Sequence, residues 1–575
     1  MTGKRANWRV YPPLPRSFLT TLHDIPPLLA QCLHNRGLTT LHDMHRFLTG
    51  ECEAADPFKI KGMAEAVTRI RRAIRRGELI AIYGDFDADG VTGTALLVET
   101  LSGLGARVVP YIPHRANEGY GLNSGAIRRL GERGASLIVT VDCGARAVIE
   151  VDQARKLGLD VVVTDHHSLT NQLPAAVAVV NTRREDCTYP FKGLSGVGIA
   201  FKLAQALLLV SDQLPLPSQN SPLREEHLLD LVALGTVADL SPLVGENRDL
   251  VKRGLAQLAR ARRPGIEALL QEADVTPRSI TAATIGYVLG PRLNAAGRMD
   301  HAMLSFRLLT ASSPLRAREL ARMLEERNRA RREITMSTVE AARAQVEGQQ
   351  DQPLLFAADD DYHAGVLGLA AQRLCDEFYR PVIVTKTGPE ESVSSARSID
   401  EFNITEALDE CASLLKRHGG HARAAGFTVS NGNLQALRAK LSQIAAERLA
   451  GIELRPTLDI DAEIPLGGLK PEHFYLFQQL EPLGRGNPEP LFLSRGVTVR
   501  ASRVVGDKHL KLSLSDGCYV WDGIAFGMGA HLQDMASRVD LVYAPQVHTY
   551  RNREQLQLRV EDFGPSSSVP GKTTP

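Results

Sequence analysis

The sequence predicts an α/β protein: a parallel-sheet domain, a long helix, a smaller second α/β domain and a small C-terminal β-barrel. Three observations predict this. Short β-branched runs alternate with helical stretches in the N-terminal half, which is the pattern of βαβ units. A charged stretch over 313–349 keeps helical character well past the length of an ordinary globular helix. From Pro456 the chain turns to short alternating runs set off by Gly and Asp, as in small barrels.

Length and composition fit this division. The 575 residues exceed what one core organises; roughly four units follow from ~150 residues each. A hydrophobic content of 43% with 23% charged residues excludes a disordered or collagen-like chain. The 67 Lys and Arg against 66 Asp and Glu leave +1, so any basic binding surface must be local. Seven cysteines (Cys32, Cys52, Cys143, Cys187, Cys375, Cys411 and Cys518) form no CxxC pair. That argues against a disulfide framework or zinc ribbon and for a reducing, cytoplasmic setting. The N-terminal MTGKRANWRVYPPLPRS is followed by no apolar h-region. The most apolar stretch, IAFKLAQALLLV (199–210), is broken by Lys202 and Gln205 and is too short to span a bilayer, so no membrane association is expected.

The elements follow in order. LIAIYG (79–84) leads into DFDADG (85–90) and the helical VTGTALLVETLSGLG (91–105). SLIVTVD (136–142) leads into CGARAVIEVDQARKLG (143–158), and DVVVTDHH (160–167) opens a Pro-containing loop. In open parallel sheets ligands gather beyond the carboxyl ends of the strands, and all three polar tips fall there. EEHLLDLVALGTVADL (225–240) has helical periodicity ending at Asp239. A second α/β pattern comprises PLLFAAD (353–359), GVLGLAAQRLCDEF (365–378), PVIVTK (381–386) and HARAAGFTV (421–429). TLDIDAEIPL, GVTVRASRVV, HLKLSLSD and QLQLRVEDF read as barrel strands. The expected boundaries are an N-terminal extension (1–55), the parallel-sheet domain (56–250), a helical connector (251–350), the second α/β domain (351–450), the barrel (455–562) and a disordered tail (563–575).

The chemistry concentrates at the strand ends. Asp85, Asp87 and Asp89 alternate, and in an extended backbone they point to one side. Such like charges raise one another's pKa unless a cation lies between them. Asp142 ends the second strand, Asp165, His166 and His167 end the third, and Asp239 ends a helix that returns toward the same edge. Each fragment alone has a plainer explanation: a helix cap, a turn residue, a surface histidine pair. Converging on one edge, they point to a pair of divalent metal ions, with mixed carboxylate and imidazole ligands favouring Mn²⁺ or Mg²⁺ over Ca²⁺.

GDFDADG, VDCG, TDHH and GTVADL, in that order, resemble the four motifs of the DHH phosphoesterase superfamily. IPHRANEGYGLN (112–123), GPRLNAAGRM (290–299), SSARS (394–398), GGHARAAGF (419–427) and EPLGRGNPEP (481–490) are similar to stretches of its bacterial branch of single-strand-specific 5′→3′ DNA exonucleases. The resemblance implies a DHH domain, a long connecting helix, a smaller DHH-associated domain and an OB-fold. It also implies two-metal phosphodiester hydrolysis that releases 5′-mononucleotides, in recombination and repair. Asp87, Asp89, Asp142, His166 and Asp239 match metal ligands with Asp142 bridging, and Asp85 matches an additional acid. His167, with Asp165, matches the catalytic pair facing the scissile phosphate. Asn294, Arg298, Ser395, Arg397, Gly419, Gly420 and His421 match substrate-binding positions. Related pyrophosphatases carry a His early in the first motif, whereas this chain has Tyr83 and Gly84, which fits the exonuclease branch. The implied partners are single-stranded DNA with a 5′ end, single-strand-binding protein and a RecQ-like helicase, with the chain itself a monomer.

Two other functions are weighed: a short-oligonucleotide or cyclic-dinucleotide phosphodiesterase of the same superfamily, and a non-catalytic single-strand-binding scaffold. The extra barrel argues against the first, and the retained acids and histidines against the second. Tyr519, Trp521 and Phe526, and Tyr550 with the nearby Arg551 and Arg553, are candidate strand contacts, with filling of the barrel core favoured for any one aromatic. TRIRRAIRRG (68–77) and ARARRPG (259–265) are expected to be solvated faces, and the 313–349 helix a spacer laced by neighbouring Glu and Arg.

Overall fold

Five parallel strands form the first sheet, in the order Arg107–Tyr111, Leu79–Gly84, Ala135–Val141, Asp160–Thr164 and Ala178–Val180. The computed structural model describes residues 6–20, 22, 24–50, 55–216, 224–349, 351–506, 508–533, 535–550 and 553–566. The three central strands are those expected from their β-branched runs. The two edge strands escape the pattern, one because it is only three residues long and the other because it contains Pro110. Proline gives up a ladder hydrogen bond, which an edge strand tolerates.

Alternation along the strands builds a core on each face of this sheet. Ile80, Ile82, Leu137, Val139 and Val141 pack with the helices Ala88–Gly103, Gly196–Gln213 and Leu229–Ala238. Ala81, Tyr83 and Ile138 face the helices Ser124–Glu132 and Val148–Lys156. The helix Gly196–Gln213 is buried from Gly196 through Leu207, including Lys202 at 1% exposure. Its Nζ donates to Glu246 Oε1 at 2.8 Å and to Ala55 O at 3.1 Å, and Tyr189 Oη donates to Glu246 Oε2 at 2.6 Å.

In the basic runs Arg72, Arg75, Arg76, Arg260 and Arg262 are exposed, as expected of solvated faces, and three other arginines differ. Arg69 is buried and donates to Asp160 at 2.5 Å and Glu78 at 2.7 Å; Arg71 is buried against Ser211 Oγ at 2.7 Å. Arg263 pairs with Asp230 at 2.7 Å and Glu99 at 2.5 Å. Helical spacing carries Arg69 and Arg71 onto the packed side, where two carboxylates meet the first and a hydroxyl and a carbonyl the second.

Residues 50–335 and 482–487 form one unit, and residues 1–49, 336–481 and 488–575 the other. The helix Pro314–Val346 contributes to both. Arg316 pairs with Glu319 and Arg332 with Glu325 along the helix, as expected, whereas Arg327 reaches Asp300 and Arg343 reaches Glu377 on other elements.

In the second unit, Leu355–Asp359 and Val382–Lys386 run parallel; Glu391–Arg397, Ala424–Ser430 and Leu415–His421 continue the same sheet antiparallel. The barrel closes in the order Phe492–Val505, His509–Ser515, Val520–Ala525, Arg553–Pro565 and Arg538–Tyr550, whose last strand pairs back to the first. Its final strand runs past the expected boundary at 562, because Phe563 is buried opposite Leu541; residues 567–575 of the expected tail lie outside the described residues. TLDIDAEIPL divides: Thr457–Ile460 pairs in parallel with Asn7–Val10, and only Ala462–Glu463 joins the barrel strand at Phe492. Trp8 Nε1 donates to Asp562 at 2.8 Å, and buried Asp461 accepts from Asn35 Nδ2 at 2.9 Å.

Lys202→Met leaves the Glu246 carboxyl in the core without its cation. Unfolding in urea is expected to show a loss of about 3–5 kcal/mol.

Candidate metal centre

Asp85 comes directly after the Leu79–Gly84 strand, and its N–H donates to Val141 O at 3.2 Å, tying this tip to the end of the neighbouring strand. The helix starts at Ala88, so the extended alternation expected for the three acids stops short of Asp89. They converge by another route. Asp87 is the N-cap, its Oδ1 accepting from Asp89 N at 3.0 Å and Gly90 N at 3.1 Å, which satisfies orphan amides of the first turn. Asp89 lies in that turn and faces a second helix start: Gly196 N and Val197 N each donate to its carboxylate at 2.7 Å. The positive end of the Gly196–Gln213 helix thus holds a carboxylate that is 1% exposed.

Asp142 follows the Ala135–Val141 strand with φ +62°, in the left-handed region that Asp adopts more readily than most residues. A Cβ at Gly196 would come within 2.5 Å of the Asp142 side chain, so glycine makes room for it. Asp165 is committed by hydrogen bonds: Oδ1 accepts from His166 N at 2.8 Å and His167 N at 3.1 Å, and Oδ2 from Ala145 N at 2.8 Å. His166 Nε2 lies 3.1 Å from Asp142 Oδ1 and 3.9 Å from Asp89 Oδ2. His167 Nδ1 lies 2.9 Å from Asp165 Oδ1 and 3.1 Å from the Tyr120 hydroxyl. Asp239 closes the Leu229–Ala238 helix and accepts from Ser241 Oγ at 2.6 Å.

These groups fit divalent cations. Asp85 Oδ1, Asp142 Oδ1 and His166 Nε2 are buried without a hydrogen-bond partner, a state that is costly unless an ion satisfies them. Ligand atoms of Asp85, Asp87 and Asp142 fall within 4.8 Å of one another, as do those of Asp89, His166 and Asp239 and those of Asp142, His166 and His167. The sets overlap at Asp142 and His166, the arrangement of two adjoining cation positions.

Burial, then neighbouring carboxylates, push the Asp85, Asp89 and Asp142 carboxyls well up. Burial brings Asp239 up to about 6. Burial likewise lowers His166 to about 3, which keeps its imidazole neutral and able to bind a metal. Burial is the largest influence on His167 and opposes its charge, but the hydrogen bond and charge attraction to Asp165, with Asp239 and Asp87, together raise its pKa; at Asp165 burial is likewise outweighed by His167 and the backbone N–H bonds together, which lower it.

Several neighbours of the site have no signal in the sequence pattern. Tyr120 donates to Asp142 O at 3.2 Å. Arg115 lies 4.8 Å from the Phe86 ring centroid and favours the ionised Asp85. Both fall in IPHRANEGYGLN, whose spacing carries no recognisable chemistry. Asn294 Oδ1 accepts from Ala88 N at 2.8 Å, so this residue fastens the acidic tip itself. Arg298 is half-buried on the same Gly290–Met299 helix, where a Cβ at Gly297 would come within 2.5 Å of Phe86 O.

The remaining expected residues gather within the other unit. Arg397 pairs across Ala424 to His421, and Ser395 across Gly426 to Gly419. Cross-strand partners and i, i+2 neighbours share a face, so Ser395, Arg397 and His421 project together. The start of the Leu367–Phe378 helix lies beside them: a Cβ at Gly368 would come 2.9 Å from Arg397 Nη2 and 3.3 Å from Ser395 Oγ. Gly420 has φ +155° and no room for a Cβ, whereas Gly419 has open space.

The sign of the pH dependence follows from Asp239. Its folded pKa of about 6 exceeds the ordinary carboxylate value near ~3.9, so its contribution to metal-free stability is present in acid and lost as pH rises through that range. A cation needs the ionised form. Added Mn²⁺ is therefore expected to raise the melting temperature more at about pH 7.5 than at about pH 5, and Asp142→Asn to shrink the shift at both.

Family models match three segments: the DHH family N-terminal domain over 79–236, the DHHA1 domain over 351–447 and the RecJ OB domain over 460–562. The single-stranded-DNA-specific exonuclease RecJ of Bacillus subtilis (strain 168) is 38% identical over 573 residues, covering 98% of this chain and 71% of that protein. RecJ of Escherichia coli (strain K12) is 34% identical over 561 residues, covering 94% of this chain and 96% of its own. Crystal structures of RecJ from Thermus thermophilus in complex with Mn²⁺ and with Mg²⁺ match with TM-scores of 0.83 and 0.78. Both are 28% identical and cover 99% of this chain, and 81% and 80% of theirs. With its parallel sheet ending in clustered acids, its second α/β sheet and its closed barrel, the chain belongs to the RecJ family of DHH phosphoesterases.

Proposed function

We propose that this chain is a single-stranded-DNA-specific 5′→3′ exonuclease that releases 5′-mononucleotides, acting in DNA recombination and repair. One observation carries the reading: Asp85, Asp87, Asp89, Asp142, His166 and Asp239 meet at one sheet edge with atoms left unsatisfied. The RecJ relatives, named for single-stranded-DNA-specific exonuclease activity, support it.

Asp87, Asp89, Asp142, His166 and Asp239 are the proposed ligands of two divalent cations, Mn²⁺ or Mg²⁺, with Asp142 shared and Asp85 as a further acid. Bound there, the cations supply the positive charge that lets water attack phosphorus at neutral pH and that offsets charge on the phosphate. The chain's own groups do the rest. Asp165, held by three backbone N–H groups, fixes the proton of His167 on Nδ1 and favours the imidazolium. That leaves Nε2–H to donate to the phosphate or to the departing 3′-oxygen. The attacking oxygen joins phosphorus, the bond to the 3′-oxygen of the first nucleotide breaks and that oxygen takes the proton, and the new oxygen stays on the 5′-phosphate of the shortened strand, to leave with the next nucleotide.

Polarity calls for an anchor for the terminal phosphate. Ser395, Arg397, Gly419, Gly420 and His421 are the proposed anchor, with the planar Arg397 fork suited to paired charge-assisted bonds. Arg298 is a proposed further contact, and Asn294 acts through Ala88 N. For the strand track, Tyr519 and Phe526 are 50% and 58% exposed and suited to stacking. Trp521 is excluded, because it is buried with its ring 5.1 Å from Phe474. Arg551 lies outside the described residues. Single-strand-binding protein and a RecQ-like helicase are the proposed partners of a cytoplasmic monomer; among the described residues no helix is long and apolar enough to cross a membrane.

End-labelled single strands digested with Mn²⁺ are expected to lose 5′ nucleotides and to leave blunt duplex intact. In labelled water the label should appear on the 5′-phosphate; label found solely on a 3′-phosphate refutes the assignment. Asp142→Ala is expected to lower kcat by at least about a thousandfold. Arg397→Ala is expected to cost about tenfold or more in kcat/KM on 5′-phosphorylated strands and little on 5′-hydroxyl strands.

A further inference from the structure

Residues 482–487 lie far along the chain from the acidic strand ends yet belong to the same unit. They form a closed loop fastened at several points. Leu243 N donates to Arg485 O at 2.7 Å, and Nη1 of buried Arg248 donates to Pro482 O at 3.4 Å. Gly484 and Asn487 exchange both backbone hydrogen bonds, at 2.8 and 3.0 Å, and Asn487 Nδ2 donates to Pro482 O at 2.9 Å. Gly486 has φ +78°, and a Cβ at Gly484 would come 2.8 Å from Leu243 Cδ1. A loop bound in this way presents its tip in one orientation.

The tip is Arg485, and its side chain is exposed. Nη1 donates to Leu240 O at 3.4 Å, a long contact made where the chain turns sharply after Asp239, with Leu240 at φ +59°. That contact seats the guanidinium on the residue directly after Asp239. Among the described residues no carboxylate forms an ion pair with it. A cation beside a metal-binding carboxylate repels the metal and is available to an anion arriving with the substrate.

We infer that Arg485 is a phosphate-binding residue, its fork gripping a backbone phosphate of the DNA strand on the Asp239 side of the metal centre. The inference rests on the single-strand exonuclease reading and adds to it a contact that the acidic motifs do not contain. The contact joins an arginine fork to a phosphodiester oxygen, which suits Arg more than Lys.

Binding without catalysis tests it. The full chain in EDTA is titrated with a fluorescent oligothymidylate at several salt concentrations. Arg485→Ala is expected to weaken Kd by about tenfold to a hundredfold, the range of a lost hydrogen bond to a charged group. The slope of log Kobs against log salt should also fall by about 0.7, the share of one phosphate contact on a single strand. Arg485→Lys is expected to keep the slope and lose part of the affinity. With Mn²⁺, kcat/KM should fall with the binding loss, while the Mn²⁺ concentration for half-maximal rate does not rise. Unchanged Kd and slope in Arg485→Ala would overturn the inference, as would a rate loss restored by more Mn²⁺. Failure of the unmutated chain to digest single strands would instead overturn the exonuclease reading, and the EDTA titrations would still decide the Arg485 contact.

Discussion

Mutual repulsion among buried carboxylates is the constraint around which the catalytic unit is built. Asp85, Asp89 and Asp142 lie almost wholly out of water within one cluster, where each raises the cost of ionising the next. The fold answers with partial positive charge. Two amides at the start of one helix hold Asp89, and Asp87 caps the first turn of another. Glycines at 196 and 235 let helices approach until the carboxylates nearly touch the backbone. Backbone dipoles alone leave Asp85 Oδ1 and Asp142 Oδ1 unsatisfied, so the cluster is complete only with cations. Even Lys202 serves this end, since its buried pair with Glu246 fixes the helix that holds Asp89.

Much of this was legible in the sequence, because the relevant signals are local. A β-branched run followed by an acid places that acid at a strand end, and parallel strands share their carboxyl edge. That rule was enough to bring Asp85, Asp142 and His166 together. Arg115, Tyr120 and Arg485 were opaque for the opposite reason. Their partners are distant in sequence, and an arginine or tyrosine in a loop has no spacing that names its neighbour. The same limit explains Arg69 and Arg71. Their helix looks uniformly basic, and only tertiary contact reveals Asp160, Glu78 and Ser211 waiting on the buried side.

The barrel shows a related distinction. Alternating aromatics in CYVWDGIAF could belong to a binding face or to the core, and strand periodicity assigns Tyr519 and Trp521 to one side. Packing separates them: Trp521 is 8% exposed beside Phe474, and Tyr519 is 50% exposed near the strand end. Residues 1–49, which carry no motif, belong with the barrel's unit through a strand pairing and the buried Asp461 contacts.

Both units are discontinuous in sequence, and this bears on how the protein comes into being at the ribosome. Asn7–Val10 emerges early but has no strand to join until Thr457–Ile460 follows, and the acidic centre lacks its 482–487 loop until later still. At bacterial elongation rates that interval is on the order of half a minute to a minute and a half. The nascent enzyme thus exposes unfinished edges over that interval, and gains its closing segments only once the intervening residues have been made.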